Sequence, residues 1–253
     1  MTLPLHLASI FTDIPEAIIV FFHDQVGLGW GPSIVALTFA VRLAIMPLSI
    51  KQLKSMRAMQ ALQPELKAIQ DKHKDDKQRQ QQEMMRFYQE NEINPLASCF
   101  PLLLQLPVFF ALYAMLRSDS FRDDVIEQPP DGWLFIPSLI DPPAGSETII
   151  LIVLFIVTQL LAGIAMTVRG QGAQGPQKFI VFGIPFLFAP FVATFEAGLS
   201  VYWIATNIWT FGQQQVVYSL LPPPEKKTPE EIEAAKPPPP PPRKKKKRSG
   251  KRK

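Results

Sequence analysis

One arginine, Arg42, lies well inside a long apolar stretch, residues 33–47 (SIVALTFAVRLAIMP). A cation in such a segment is costly in hydrocarbon, so residues of this kind usually face a bundle interior or a water-filled cavity. Thr38 precedes Arg42 by four residues and therefore lies on the same helix face. The pair predicts a hydrated site that attracts polar or anionic groups.

A second group of polar residues lies in the last apolar segment. Polar or amphipathic residues recur there at helical spacing, namely Trp203, Thr206, Asn207, Thr210 and Gln214. Single glutamines interrupt two other apolar segments, Gln105 and Gln159. We predict a groove formed by several helices, with these candidate residues: Thr38, Arg42, Gln105, Gln159, Trp203 and Asn207. Glu196 lies too far along its helix to pair with Arg42.

The remaining residues that commonly do chemistry form no site. His6, His23 and His73 are far apart and share no ligand spacing with acidic residues or with the single cysteine, Cys99. The glycines at positions 27, 29 and 31 follow no strand and lack a phosphate-loop lysine, which predicts a plain loop. We therefore expect no catalytic residue, no metal and no cofactor, and the protein is not predicted to be an enzyme.

The charges are segregated, although they make up 19% of the chain. Five nearly uncharged segments remain, each long enough to cross about 30 Å of hydrocarbon as a helix. The sequence predicts an all-α membrane protein with five transmembrane helices, at about residues 32–50, 96–116, 148–168, 178–195 and 199–221. Together with the segment between the first two helices, they form a predicted core, residues 31–221.

Three further segments flank or interrupt the spans. Residues 1–30 contain apolar residues at helical spacing, which predicts an extracytoplasmic amphipathic helix at the interface or, alternatively, a partly ordered leader. Residues 51–92 show apolar stripes around a turn at 73–76, which favours a helical coiled-coil hairpin over a polar linker. The first span is expected to continue into this hairpin without a break. Residues 222–253 are proline-rich and basic, which predicts a disordered tail.

The distribution of cations predicts the orientation of the spans. Nine Lys or Arg lie in the hairpin and twelve in the tail, against none in the leader and two in the acidic segment 117–148. Cytoplasmic loops carry the excess of Lys and Arg in membrane proteins. The N-terminus is therefore expected outside, with the hairpin and the C-terminus in the cytoplasm.

Three interpretations of the intramembrane polar residues compete. Interhelical hydrogen bonding accounts for a threonine or a glutamine but not for Arg42, which has no carboxylate at its depth. A small-solute transporter or channel is an alternative, although five spans give no inverted repeat. A groove that accepts another polypeptide fits the cationic hairpin and tail, which suit an RNA-rich or anionic partner, although the tail fits attraction to anionic lipid nearly as well.

Long stretches of the chain resemble the YidC/Oxa/Alb family of membrane protein insertases. The stretches are LTFAVRLAIMPL (37–48), KSMRAMQALQPELKAI (54–69), DDKQRQQQEMMRFYQENEINPLASCFPLLLQLPVFFALYAML (75–116) and GLSVYWIATNIWTFGQQQVVY (198–218). Together with the segments between them, the similarity covers about residues 20–220.

The resemblance implies a membrane insertase and chaperone that performs no covalent chemistry. Such a protein holds a hydrophilic groove open to cytoplasm and lipid, in which Arg42 attracts the hydrophilic part of a nascent membrane protein. Thr38 and Trp203 match family positions implicated in substrate contact. The implied location is the bacterial plasma (inner) membrane, and the implied partners are nascent membrane proteins, the ribosome and the Sec translocon. A passive docking scaffold for ribosome or translocon remains an alternative.

Overall fold

The computed structural model describes residues 5–91, 100–168 and 176–220. Within these ranges the chain is helical, and the only strand-like feature is an isolated bridge between Trp133 and Ile136. The predicted all-α class is therefore confirmed for the described residues. The predicted tail (222–253), the start of the second span (96–99) and Cys99 lie outside them.

Ten α-helices and one short π-helical turn form the described chain. In order they are α1 (Leu5–Val20), the π-helical turn (Phe21–Gln25), α2 (Trp30–Ala44), α3 (Met46–Ala61), α4 (Gln63–Lys72), α5 (Lys77–Glu90), α6 (Phe100–Leu116), α7 (Asp119–Glu127), α8 (Ser146–Val168), α9 (Pro176–Val192) and α10 (Ala197–Leu220). The described residues fall into two compact units, one formed by residues 5–63, 100–168 and 176–220 and one formed by residues 64–91.

Helix α10 is central to the first unit, where it packs against α2 and α8 and more lightly against α6. Helix α9 packs on α8, and α1 packs on α6 and α2. Large apolar side chains fill the core, including the fully buried Trp30, Ile34, Leu112 and Leu199. These contacts place α10 beside the helices that carry Arg42 and Gln105.

The predicted continuous helix from the first span into the polar region is wrong. The chain bends by 61° between α2 and α3, and Ile45 at the junction has φ −89° and ψ 1°. Pro47 follows two residues later. A proline has no N–H to donate, and its ring crowds the carbonyl four residues earlier, which bends a helix.

A cap covers the end of the unit at which α2, α8 and α10 begin; we define it as α7 with residues 128–145. The indole Nε1 of Trp30 donates to the Gln128 carbonyl at 3.0 Å, and the amides of Ala197 and Gly198 donate to the carbonyls of Asp141 and Leu139. Within the cap, a hydrogen bond from Arg122 lowers the pKa of Asp141. The cap thus fixes the starts of α2 and α10.

The second unit contains most of α4 and all of α5, joined through residues 73–76. Asp76 caps α5 by accepting a hydrogen bond from the Arg79 amide at 2.9 Å. Gln80 Nε2 donates to the Gln70 carbonyl at 2.7 Å, which ties the two helices together beside the turn. Most side chains in this unit are exposed or only partly buried, as expected for a polar helical pair.

Length and hydropathy alone identify fewer candidate spans among the described helices than the sequence predicted. Residues Ser146–Ala165 of α8 pass such a test, and α2 with the start of α3 passes if the bent pair counts as one span. Two further apolar helices, Leu103–Leu116 and Phe182–Val192, are shorter. Helix α10 carries the polar stripe, which lowers its mean hydropathy.

Candidate functional site

The guanidinium of Arg42 takes part in a hydrogen-bonded chain across three helices. Arg42 Nη2 on α2 donates to Gln105 Oε1 on α6 at 3.0 Å. The amide of Gln105 donates in turn to the hydroxyl of Tyr202 on α10. Arg42 is only partly buried, and no carboxylate of the described residues forms an ion pair with it. Its partners are therefore neutral, and its charge is not compensated within this part of the chain.

A second polar contact joins α8 to α10. Asn207 Nδ2 donates to the hydroxyl of Thr158 at 3.2 Å, and that hydroxyl donates to the Leu154 carbonyl at 2.7 Å. Asn207 is buried. Gln159 is partly buried, but the hydrogen bond between these two helices comes from its neighbour Thr158.

Thr38 and Trp203 have different surroundings from Arg42. Thr38 is buried, and its hydroxyl donates to the Ile34 carbonyl of its own helix at 2.8 Å. Trp203 stacks on Phe109 with ring centroids 5.3 Å apart and an interplanar angle of 19°. The ring of Phe155 lies tilted against Trp203, and Phe195 contacts it edge to face. Trp203 thus forms part of an aromatic cluster between α6, α8 and α10.

Two buried polar groups lie toward the C-terminal end of α10. Gln214 Oε1 on α10 and Gln52 Nε2 on α3 are both buried and have no hydrogen-bond partner among the described residues. Buried polar atoms are almost always satisfied by protein or by ordered water, because leaving one unpaired costs about 1–3 kcal/mol.

Glu196 pairs with a residue other than Arg42, in agreement with the sequence prediction. Its carboxylate lies 3.5 Å from Arg117 Nη1 at the start of α10, beside the cap. Arg117 also donates to the hydroxyl of Tyr113 at 2.9 Å. Glu196 is buried at this position, so it is not available to neutralise Arg42.

A cavity of about 250 Å³ adjoins the Arg42 network. Its lining is apolar apart from the hydroxyl-bearing ring of Tyr202, and it is contributed by α1, α2, α6 and α10. Ile14, Pro15 and Ile18 of α1 form one wall, and Val41, the neighbour of Arg42, forms part of another. The cavity therefore shares only Tyr202 with the hydrogen-bonded chain that contains Arg42.

Of the predicted site residues, Arg42 and Gln105 are in direct contact. Asn207 contacts Thr158 instead. Thr38, Gln159 and Trp203 lie outside the hydrogen-bonded chain of Arg42, Gln105 and Tyr202. Sequence reasoning missed Tyr202 and Thr158. Thr158 was visible as a hydroxyl in the middle of an apolar helix. Tyr202 precedes the polar stripe by one residue, and only the rotation of α10 against α6 shows that its hydroxyl reaches Gln105.

Comparison with known proteins gives a consistent family match. A family model described as the 60Kd inner membrane protein matches residues 21–224. A membrane protein insertase YidC of Streptomyces avermitilis is 36% identical over 252 residues, which covers 83% of this chain and 59% of the relative. A YidC of Francisella tularensis subsp. novicida is 31% identical over 221 residues, covering 85% of this chain and 37% of the relative.

The fold is also similar to a solved structure. A crystal structure of an active YidC insertase with its first transmembrane domain resolved superposes with a TM-score of 0.65 at 25% identity. The superposition covers 84% of this chain and 46% of that one. The chain thus spans between about a third and three fifths of the length of these relatives.

Proposed function

Because the chain belongs to the 60Kd inner membrane protein family, which includes the YidC insertases, we propose that it inserts nascent membrane proteins into the bacterial inner membrane. The observation that carries the proposal is Arg42, a partly buried guanidinium with only neutral partners among the described residues. A cation in that setting is stabilised by an anionic group from outside the protein. An acidic or polar stretch of a substrate polypeptide supplies such a group.

The proposed groove is bordered by Thr38, Arg42, Gln105, Gln159, Trp203 and Asn207. Water there lowers the cost of bringing a hydrophilic segment partway across the bilayer. The substrate's own apolar helix then moves into lipid, and its burial provides the driving force. No covalent step is needed, so the protein is not an enzyme in this account.

The proposed topology has five spans, an outer N-terminus and a cytoplasmic C-terminus. Helices α2 with the start of α3, α6, α8, α9 and α10 are the spans, and the cap lies outside. The shorter apolar helices α6 and α9 still fit, because hydrophobic mismatch costs only fractions of a kcal/mol per Å. This arrangement places the cationic segment 51–92 and the tail on the same side, as the positive-inside rule requires.

The helical hairpin formed by α4 and α5, together with the basic tail, is the proposed docking region for the ribosome. Clustered cations attract anionic partners such as ribosomal RNA without reading sequence. The Sec translocon is a second proposed partner, and anionic lipid competes for the tail. A protein that only docked ribosomes would bind through this region but would insert nothing on its own.

Substitution of Arg42 tests the insertase function. Purified full-length protein is reconstituted into vesicles, and insertion of a short substrate with an acidic translocated segment is measured by protease protection. We expect Arg42→Gln to lower insertion about tenfold or more, the effect of losing one hydrogen bond to a charged group. Arg42→Lys keeps the charge and is expected to retain most of the activity.

Two controls make the result specific. Lys51→Gln removes one cation from the exposed face of α3 and is expected to leave insertion unchanged. A substrate whose acidic residues are replaced by Asn and Gln is expected to depend much less on Arg42. Equal insertion of the acidic substrate by the wild type and Arg42→Gln would contradict the proposed role of this residue.

A further inference from the structure

A large apolar cavity lies between α3 and the second half of α10, with Phe39 of α2 at one end. Its volume is about 560 Å³. Met46, Ile50 and Lys54 recur every four residues on α3, and Ile208, Gly212 and Val216 do the same on α10, so each set lies on one helix face. We call this space the α3–α10 groove. It is separate from the Arg42 network and from the cavity beside α1.

The α3–α10 groove carries a positive charge at one end and is apolar at the other. Among the described residues that line it, Lys54 is the only ionisable one, and no carboxylate joins it. Lys54 is exposed, and α3 carries two further cations, Lys51 and Arg57, but no acidic residue. Phe39 and Ile208 mark the other end, where the groove meets a second apolar cavity of about 340 Å³ beneath the cap. Its lining contains no ionisable residue.

The length of the groove matches one leaflet of a bilayer. Ile208 and Leu220, which line its two ends on α10, are twelve residues apart, or about 18 Å at the rise of an α-helix. Half of a typical hydrocarbon core is about 15 Å. An occupant with a negative head at Lys54 and an apolar body reaching Phe39 therefore fills the groove.

We propose that the α3–α10 groove binds an anionic phospholipid, with the phosphate at Lys54 and an acyl chain along α10. Charge complementarity selects a lipid with net negative charge over a zwitterionic one, because Lys54 has no acidic neighbour in the lining to neutralise it. The bound lipid would fill the angle that the bend at Ile45 opens between α3 and α10. The proposal requires that the chain lies in a bilayer, but not that it inserts proteins.

Lipid retention by the purified full chain tests this site. The wild type and Lys54→Gln are each loaded with phosphatidylglycerol or phosphatidylcholine in detergent and examined by native mass spectrometry. We expect Lys54→Gln to retain phosphatidylglycerol about fivefold less well than the wild type, as expected for one lysine facing anionic lipid. Retention of phosphatidylcholine is expected to be weak and unchanged.

Two further variants distinguish the contribution of the Lys54 charge from that of the groove volume. Lys51→Gln removes a neighbouring cation that does not line the groove and is expected to retain phosphatidylglycerol like the wild type. Gly212 lines the groove, and a Cβ there would meet nothing within 4 Å, so Gly212→Leu adds a side chain that takes up groove volume and is expected to reduce retention.

Either of two results would overturn the proposal. The first is an equal loss of phosphatidylglycerol retention in Lys51→Gln and Lys54→Gln, and the second is wild-type retention of phosphatidylglycerol in Gly212→Leu. A photocrosslinker at Val216 that captured a protein segment and no lipid would overturn it as well, because the occupant would then be a polypeptide.

Discussion

Arg42 has a neutral hydrogen-bond partner but no counter-charge among the described residues. Its Nη2 donates to Gln105, and Gln105 connects it to Tyr202. A carboxylate in place of the glutamine would satisfy the guanidinium more completely, but it would also remove the attraction for an acidic segment. The neutral partner therefore holds Arg42 in position while its charge remains available.

Substitutions of Gln105 distinguish the structural role of this contact from its functional one. Gln105→Leu removes the acceptor from Arg42 and is expected to lower the free energy of unfolding by about 1–3 kcal/mol, measured by thermal unfolding in detergent. Gln105→Glu keeps an acceptor and adds a counter-charge. It is expected to stay close to wild-type stability yet to insert acidic substrates poorly. Wild-type insertion by Gln105→Glu would show that the free charge of Arg42 is not what the substrate recognises.

Among the helices, close packing at the cap depends on a glycine whose role the sequence did not predict. The sequence predicted that Gly27, Gly29 and Gly31 form a loop. Gly31 instead lies in the first turn of α2, beneath the ring of Trp133. A Cβ there would approach Trp133 Cγ to 2.4 Å. The indole is held by a backbone turn in which Trp133 and Ile136 exchange hydrogen bonds of 2.8 and 2.9 Å.

Gly31→Ala is expected to lower the free energy of unfolding by about 1–3 kcal/mol, since an added methyl group in a well-packed contact forces side chains and backbone to shift. The measurement is thermal unfolding of the purified protein in detergent. Gly212→Ala is the matched control because its Cβ meets nothing within 4 Å, and it is expected to be neutral or slightly stabilising. A Gly31→Ala variant as stable as Gly212→Ala would contradict the close packing of Trp133 on α2.

Helical periodicity predicted much of the architecture but not its tertiary contacts. Apolar runs identified the segments that become α8, α9 and α10 to within a few residues. The groove predicted from the stripe on α10 stays a prediction, and Asn207 and Gln214 of that stripe are both buried. The bend at Ile45 was missed, because a proline that follows an apolar run is compatible with a straight span or with a kink. The Gln105–Tyr202 contact was missed because spacing along one helix does not give its rotation against another.

At the scale of the whole molecule, cations are distributed very unevenly. Of 26 Lys and Arg residues, 21 lie in segments 51–92 and 222–253, whereas Arg42 is alone within an apolar segment. The family match confirms the resemblance seen in the sequence. Because the relatives extend beyond the length matched here, the substrates and partners of this chain are proposals, and we propose that a substrate approaches Arg42.

Site-specific crosslinking to a ribosome-bound nascent membrane protein tests this account most directly. A photoreactive residue is placed at position 42, at position 203 or, as a control, at Ile126, which is 63% exposed on the cap. We predict adducts with the nascent chain from positions 42 and 203 and none from position 126. Insertion that proceeds with no adduct from position 42, or with equal adducts from position 126, would contradict the central claim that substrates enter beside Arg42.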